Sequence, residues 1–160
     1  MSAKYELQDI LHVRDHRKER AQEALFKAKQ SLAAAEEFLQ SQQEKESDFL
    51  KKKPKFIQTI YEQAFQKANF KRNYLDIIHF KLGKLEEHQM KLAMEVKKAQ
   101  NECREAHQKV VACAQTLTRA RIEMSKIEEH KKIWIENQHH LEEQTQDKEL
   151  EDFKTKLHHA

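Results

Sequence analysis

One stretch of the sequence decides the fold: residues 92–127 read LAMEVKKAQNECREAHQKVVACAQTLTRARIEMSKI. Its small and apolar residues recur at alternating steps of four and three, without a fault, over five heptads. They are Leu92, Val96, Ala99, Cys103, Ala106, Val110, Cys113, Leu117, Ala120, Met124 and Ile127. This spacing is typical of the seam of a left-handed coiled coil, because it keeps one line of residues facing a partner helix. The pattern continues more weakly through Lys131 to Trp134.

The first half of the chain carries a matching seam. Its positions are Leu25, Ala28, Leu32, Ala35 and Leu39, then the polar Gln42 and Glu46 before Phe49, with Leu7, Ile10 and Leu11 as earlier apolar positions. Each seam needs a partner, and the simplest solution is that the two pack on each other. The sequence therefore predicts an all-α fold, a long two-helix antiparallel coiled-coil hairpin. The alternative is a structural or scaffold coiled coil that dimerises between chains.

Heptad phase allows two positions for the turn of this hairpin. Opposed core positions have residue numbers that add to a constant, either about 138, with a turn near Asn69, or about four heptads more, with a turn near Gly83. Gly83 favours the second turn, because glycine readily adopts turn conformations, whereas the first turn contains two asparagines that can also adopt turn geometry. The smaller sum sets large seam residues against small ones and brings Tyr5 beside Trp134. That complementarity favours the turn near Asn69, although the periodicity admits both.

The domain organisation that follows is a single hairpin over residues 1–160. We expect a first arm over 5–65, a turn over 66–73, a second arm over 74–145 and a frayed tail over 146–160, because nothing lies opposite that tail. Pro54 predicts a kink in the first arm, since proline removes a backbone donor and clashes with the preceding turn.

Composition narrows the class of protein further. With 38% hydrophobic and 36% charged residues and only one Gly and one Pro, the chain is poorly suited to a thick globular core with many turns. No stretch approaches the roughly 20 apolar residues of a membrane span, and the first residues form no apolar signal-peptide core. We therefore expect a cytoplasmic protein without direct membrane insertion. Cys103 and Cys113 fall on the seam and read as reduced core residues.

The sequence shows no convincing site for catalysis, metal or cofactor. His12 and His16 lie four apart, and further pairs stand at 139–140 and 158–159, but no third ligand is convincingly placed for zinc. Acid pairs such as Glu128-Glu129 lie on a convex surface that offers no cleft to exclude water. A phosphate-binding glycine loop is impossible with one glycine. The sequence predicts that the protein is not an enzyme and uses no cofactor.

Charge is unevenly distributed along the chain. Between 51 and 84, nine Lys or Arg stand against two acids, whereas between 123 and 152 ten acids stand against four bases. Clustered lysines at 51–55 could contact phosphate, but acids elsewhere balance them and no nucleic-acid module is present, so nucleic acid is not an expected partner. A basic region and an acidic region predict different partners for the two ends of the hairpin.

Aromatic residues concentrate around the proposed turn. Six of them lie between 56 and 80, namely Phe56, Tyr61, Phe65, Phe70, Tyr74 and Phe80. Two paired helices cannot bury all six, although Tyr74 is expected to fill the seam opposite Ala64. Exposed aromatics among cations are what protein interfaces use as anchors. We therefore predict a partner-binding tip. Its residues are Phe56, Tyr61, Phe65, Phe70, Lys71, Arg72 and Tyr74.

The two ends of the sequence resemble the YscO family of bacterial type III secretion proteins, relatives of the flagellar protein FliJ. The resemblance rests on YELQDILHVR at 5–14, RKERA at 17–21, KIEEHKKIW at 126–134 and DKELEDF at 147–153. It covers nearly the full length and implies a hairpin whose turn lies in the first half, which supports Asn69 over Gly83. Pro54 and the lack of glycine at the turn depart from the family pattern.

The resemblance also implies a function. Members of this family are thought to act as the central stalk of the secretion ATPase, similar in shape to the gamma subunit of rotary ATPases. The open end would enter the pore of the ATPase hexamer, the tip would reach toward the export gate protein, and secretion chaperones are possible further partners. The open-end residues implied here are Tyr5, Arg14, Arg17, Lys18, Arg20 and Trp134. The expected protein is a non-catalytic monomer at the cytoplasmic face of the secretion apparatus.

Overall fold

The computed structural model of the protein describes residues 3–66 and 71–159. Two helices make up this part of the chain, α1 (Gln8–Phe65) and α2 (Arg72–His158), and no strand occurs in it. They pack against each other, so the predicted all-α hairpin is confirmed. The chain reverses between Phe65 and Arg72, within the predicted turn, while Asn69 itself lies outside the described residues.

The chain divides into two compact units, each of which contains a part of both helices. The terminal unit comprises Met1–Phe26 and Ala112–Ala160, and the turn unit comprises Lys27–Val111. In the terminal unit, the buried apolar residues are Tyr5, Ala21, Leu117, Met124 and Ile127. In the turn unit they are Ile78, Leu92, Val96 and Ala99. The core of each unit is therefore narrow, as expected for a heptad seam between two helices.

The seam of α2 lies where the periodicity predicts it. Every predicted seam position from Leu92 to Ile127 is buried or half-buried, and Ala99 is only 1% exposed. Cys103 and Cys113 are half-buried free thiols on this line. On α1, the polar Gln42 occupies a seam position and is 7% exposed, and its Oε1 atom has no hydrogen-bond partner. One polar position is thus enclosed by an otherwise largely apolar line.

Contacts within each unit establish the register. In the terminal unit, a guanidinium nitrogen of Arg14 donates to the backbone oxygen of Glu123 at 2.8 Å. In the turn unit, the rings of Phe49 and His88 meet edge to face with centroids 4.8 Å apart. The residue numbers of both pairs add to about 138, the smaller of the two sums that heptad phase allows. The turn at Gly83 is therefore wrong, and Gly83 lies inside α2.

Two predicted boundaries differ from the structure. The helix α2 begins at Arg72 rather than 74, and it continues to His158, so the tail that was expected to fray is helical through residue 158. The tail is rich in Glu, Lys, Gln and Leu, which are strong helix formers. Lys156 also stands in the last turn, where its positive charge interacts favourably with the helix dipole.

Pro54 lies inside α1 without ending it. Contacts to both sides of the proline hold the helix in place: the Nζ atom of Lys53 donates to Oε1 of Gln89, and Phe49 contacts Phe56 with ring centroids 6.3 Å apart. Packing of this kind can offset the backbone hydrogen bond that a proline removes. The kink at Pro54 stays a prediction, whereas a break in the helix does not occur.

Candidate functional site

The aromatic residues predicted at the tip fall into separate groups in the turn unit. Tyr61 and Phe65 stack on each other at the end of α1, with ring centroids 6.3 Å apart and an interplanar angle of 14°. Phe65 is 65% exposed, so much of this stack faces solvent. Phe56 lies apart from the stack and contacts Phe49 instead. Phe70 lies outside the described residues.

Beside the stack, α1 and α2 form a shallow groove of about 480 Å³. Tyr74 is half-buried and lines this groove together with Ala64, which fits the expectation that it fills the seam there. The groove also contains Ile60, Gln63, Gln66, Ile77, Ile78 and Lys81. Sequence reasoning did not single out Ile77 and Ile78, although Ile78 continues the seam four residues beyond Tyr74.

The basic residues of the predicted tip stand at the start of α2. Lys71 and Arg72 are both exposed, and the backbone oxygen of Lys71 accepts a hydrogen bond from the amide of Tyr74 at 2.9 Å. Together with the Tyr61–Phe65 stack, they form what we call the turn-end surface: Tyr61, Phe65, Lys71, Arg72 and the groove around Tyr74. Exposed rings next to cations favour a protein partner with apolar and acidic groups.

Near the N-terminus, in the terminal unit, Tyr5 packs against α2. Its side chain is only 5% exposed, and its ring lies 5.3 Å from that of Trp134 and 5.8 Å from that of His130. The Tyr5 hydroxyl and Nδ1 of His130 are hydrogen-bonded at 2.7 Å. The Nζ atom of Lys131 lies 6.0 Å from the Tyr5 ring and donates to Oε1 of Gln8 at 3.0 Å. We call these five residues the N-terminal clasp.

The N-terminal clasp uses two of the residues that were predicted to bind a partner at the open end. The structure brings Tyr5 and Trp134 together, as the register predicted, but both side chains are used in this internal packing. The part that His130 plays was missed, because nothing in the heptad pattern marks a residue beside the seam as the partner of a distant tyrosine. Tyr5 thus anchors the residues that precede α1 rather than offering a free ring.

The four basic residues of the open end are not equivalent. Arg14 is half-buried and hydrogen-bonded to α2 through the oxygen of Glu123. Lys18 is half-buried and lies 3.5 Å from Asp15. Arg17 and Arg20, in contrast, are exposed on α1. Of these four, Arg17 and Arg20 are therefore the cations most accessible to a partner.

Beyond Trp134, α2 extends without cover from α1. Every residue from 139 to 159 is exposed in the terminal unit. This segment carries many acids and three apolar residues at helical spacing, Leu150, Phe153 and Leu157, which are 58%, 62% and 64% exposed. Sequence reasoning described this segment only as an acidic tail and missed its apolar side. We call residues 139–158 the exposed extension.

Across residues 3–66 and 71–159, no three His, Cys, Asp or Glu side chains come together in a way that could hold a metal ion. His12 contacts Nε2 of Gln8 instead, at 3.2 Å. Over the same residues, no helix is both long and apolar enough to cross a membrane.

A comparison with models of protein families identifies the family of the chain. A family model described as Type III secretion protein YscO matches residues 7–156. The chain belongs to the YscO family of type III secretion proteins. The YscO match spans nearly all of both helices and includes the turn-end surface, Arg14 to Arg20 and Trp134, whereas Tyr5 lies just outside it. No curated protein and no solved structure gives a significant match.

Proposed function

We propose that this YscO protein is a non-catalytic central stalk and adaptor, which couples the type III secretion ATPase hexamer to the export gate protein at the cytoplasmic face of the apparatus. The observation that carries the proposal is the exposed extension of α2. Every residue from 139 to 159 is exposed, beyond the clasp that ties Tyr5 to Trp134. A single helix that projects from a paired one is the shape that can enter the pore of a ring, as the gamma subunit of rotary ATPases does.

The chemistry of the terminal unit supports contact with a ring that must be released again. The exposed extension is rich in charge, with nine Asp, Glu or Lys residues among its 20, and Arg17 and Arg20 are exposed on α1. A partner held by charges dissociates more readily than one held by a large apolar patch, since desolvated hot spots supply most of the affinity of tight complexes. This suits a stalk that turns or slips inside a hexamer.

The turn-end surface, in the turn unit, supports an adaptor role. The Tyr61–Phe65 stack and the groove around Tyr74 provide the apolar anchors, while Lys71 and Arg72 provide charge. We propose that this surface binds the export gate protein, and that secretion chaperones can also use it.

Reconstitution with the secretion ATPase tests the stalk. Adding the purified chain should promote assembly of ATPase hexamers and raise the rate of ATP hydrolysis, measured by light scattering and phosphate release. Arg17→Glu with Arg20→Glu should weaken both effects about tenfold, since two exposed attractive charges become repulsive. The matched control, Lys97→Glu with Lys109→Glu, changes two exposed cations of the turn unit and should leave both effects intact. If adding the wild-type chain changed neither hexamer assembly nor ATP hydrolysis, the stalk proposal would be wrong.

Binding to the export gate protein or to chaperones tests the turn-end surface. Tyr61→Ala with Phe65→Ala should weaken such binding about tenfold while leaving helicity unchanged, because both rings are largely outside the seam. Phe26→Ala with Phe38→Ala removes two aromatic rings of comparable exposure elsewhere and should have no effect. Equal binding by both variants would mean that the Tyr61–Phe65 stack is not an anchor.

The monomeric state belongs to the same proposal. Both seams are occupied within one chain, so no seam is left to pair with a second copy. Light scattering should give a mass near 19.2 kDa for the isolated chain. A mass of twice that value would favour the scaffold coiled coil that dimerises between chains.

A further inference from the structure

The part of α2 that lies in the turn unit carries a second apolar repeat, on the side that faces away from α1. Phe80, Met90 and Met94 are 66%, 67% and 70% exposed. Together with Gly83 and Glu87 they follow alternating steps of three and four, the same heptad spacing as the seam. At about 100° per residue, this line points nearly opposite to the buried seam residues of the same segment. We call these five residues the outer row.

The side chains of the outer row suit the packing of another helix. Methionine is flexible and polarizable, so two of them adapt to the side chains of a partner. Gly83 leaves a hollow between the larger residues, since a Cβ atom built there would meet nothing within 4 Å. Phe80 and the two methionines therefore project from the helix on either side of the hollow at Gly83. In knobs-into-holes packing, such projecting side chains of one helix enter the hollows of another.

Lysines border one side of the outer row at intervals of seven residues. They are Lys84, Lys91 and Lys98, and all three are exposed. The Nζ atom of Lys84 lies 5.4 Å from the centroid of the Phe80 ring and 3.5 Å from a carboxylate oxygen of Glu87. Within the described residues, no carboxylate lies within ion-pair distance of Lys91 or Lys98. When Phe80 is taken as position a of a heptad, these lysines occupy position e, where coiled coils place charges that select a partner.

We propose that the outer row binds an acidic amphipathic helix of another protein. The partner helix presents apolar residues at steps of three and four to Phe80, Met90 and Met94, and carboxylates at intervals of seven residues to the lysine border. Charge complementarity identifies this occupant, because a helix bordered by lysines would place like charges opposite each other. The proposal goes beyond the stalk function and is independent of it.

Two designed peptides test the occupant directly. Each contains three heptads with Leu at positions a and d; one carries Glu at positions e and g, and the other carries Lys there. Fluorescein-labelled peptide is titrated with the full chain, and binding is followed by fluorescence anisotropy. The Glu peptide should bind at least about tenfold more tightly than the Lys peptide, and more weakly as salt is added.

Substitutions in the chain localise the binding. Met90→Glu with Met94→Glu should weaken binding of the Glu peptide at least about tenfold, since it places two charges in the apolar line. The matched control is Gln108→Glu with Val111→Glu. Gln108 is two heptads beyond Met94 and Val111 is three heptads beyond Met90, both at equivalent outward positions of α2, and this variant should bind as the wild type does. All four residues are exposed, so the circular dichroism of both variants should match that of the unchanged chain.

Reversal of the lysine border tests the charge argument. Lys84→Glu, Lys91→Glu and Lys98→Glu together should reverse the preference, so that the Lys peptide binds more tightly than the Glu peptide.

Equal binding of the two peptides by the wild type, or unchanged binding by the Met90 and Met94 variant, would overturn the proposal. The proposal would also be overturned if the wild-type chain formed a dimer that the Met90 and Met94 variant abolishes, because the occupant would then be a second copy. Stimulation of the secretion ATPase by this variant should equal that by the wild type, which separates the outer row from the stalk function.

Discussion

A hydrogen bond of 2.7 Å joins the hydroxyl of Tyr5 to Nδ1 of His130, a residue 125 positions further along the chain. This bond joins the segment that precedes α1 to the far part of α2. The Tyr5 ring also packs against Trp134, with ring centroids 5.3 Å apart. The N-terminal clasp thus lies just before the exposed extension, which begins at residue 139.

Tyr5→Phe should lower the free energy of unfolding by about 1 kcal/mol, because it removes the hydroxyl and leaves Nδ1 of His130 without its hydrogen-bond partner. Urea denaturation followed by circular dichroism measures the change. Tyr61→Phe is the matched control, since that tyrosine lies in an exposed stack. If both variants lost the same amount, the bond between Tyr5 and His130 would not stabilise the fold.

Arg14→Ala should lower the free energy of unfolding by about 1 kcal/mol, whereas Arg17→Ala should change it by less than about 0.5 kcal/mol. The reason is that Arg14 donates to the backbone oxygen of Glu123, while Arg17 is exposed. Thermal melts of the two variants provide the comparison. An equal loss for both would show that the bond to Glu123 contributes nothing. The ATPase assay should rank the same two residues in the opposite order.

Gln42→Leu should raise the free energy of unfolding by about 1 kcal/mol, since Oε1 of Gln42 is buried without a hydrogen-bond partner and leucine would fill the same seam position. Gln43→Leu alters an exposed neighbour and should leave stability nearly unchanged. The midpoint of urea denaturation measures both effects. A lower midpoint for Gln42→Leu would mean that the glutamine is satisfied in solution. Light scattering of the same variant shows whether the polar residue also prevents association between chains.

Ala99→Leu should destabilise the turn unit by about 1–3 kcal/mol, because Ala99 is 1% exposed and the seam has no room for a larger side chain. Ala93→Leu places the same group on an exposed position of the same helix and should be tolerated. Amide hydrogen exchange around 92–103 resolves the local effect. Equal protection in both variants would contradict the tight packing at Ala99.

Much of the fold could be predicted from the sequence, because heptad spacing is a local property. Leu92, Ala99 and Ile127 lie in the cores of their units as their spacing predicts. The candidate surfaces could be predicted only in part. Tyr61 and Phe65 are exposed as expected, but their mutual stacking, and the separate contact between Phe56 and Phe49, depend on side-chain directions that composition does not reveal.

The sequence by itself determined that this protein is a pair of long helices with one continuous seam on each, since an alternating step of three and four keeps apolar residues on one side of any helix. The tertiary structure decided the register. A shift by whole heptads preserves the pattern, so the sequence favoured one turn without excluding the other, and contacts such as that between Phe49 and His88 establish which turn forms. It also decided that Arg14 is bound to α2 while Arg17 stays exposed. That difference rests on a distance of 2.8 Å across the hairpin, which no local spacing encodes.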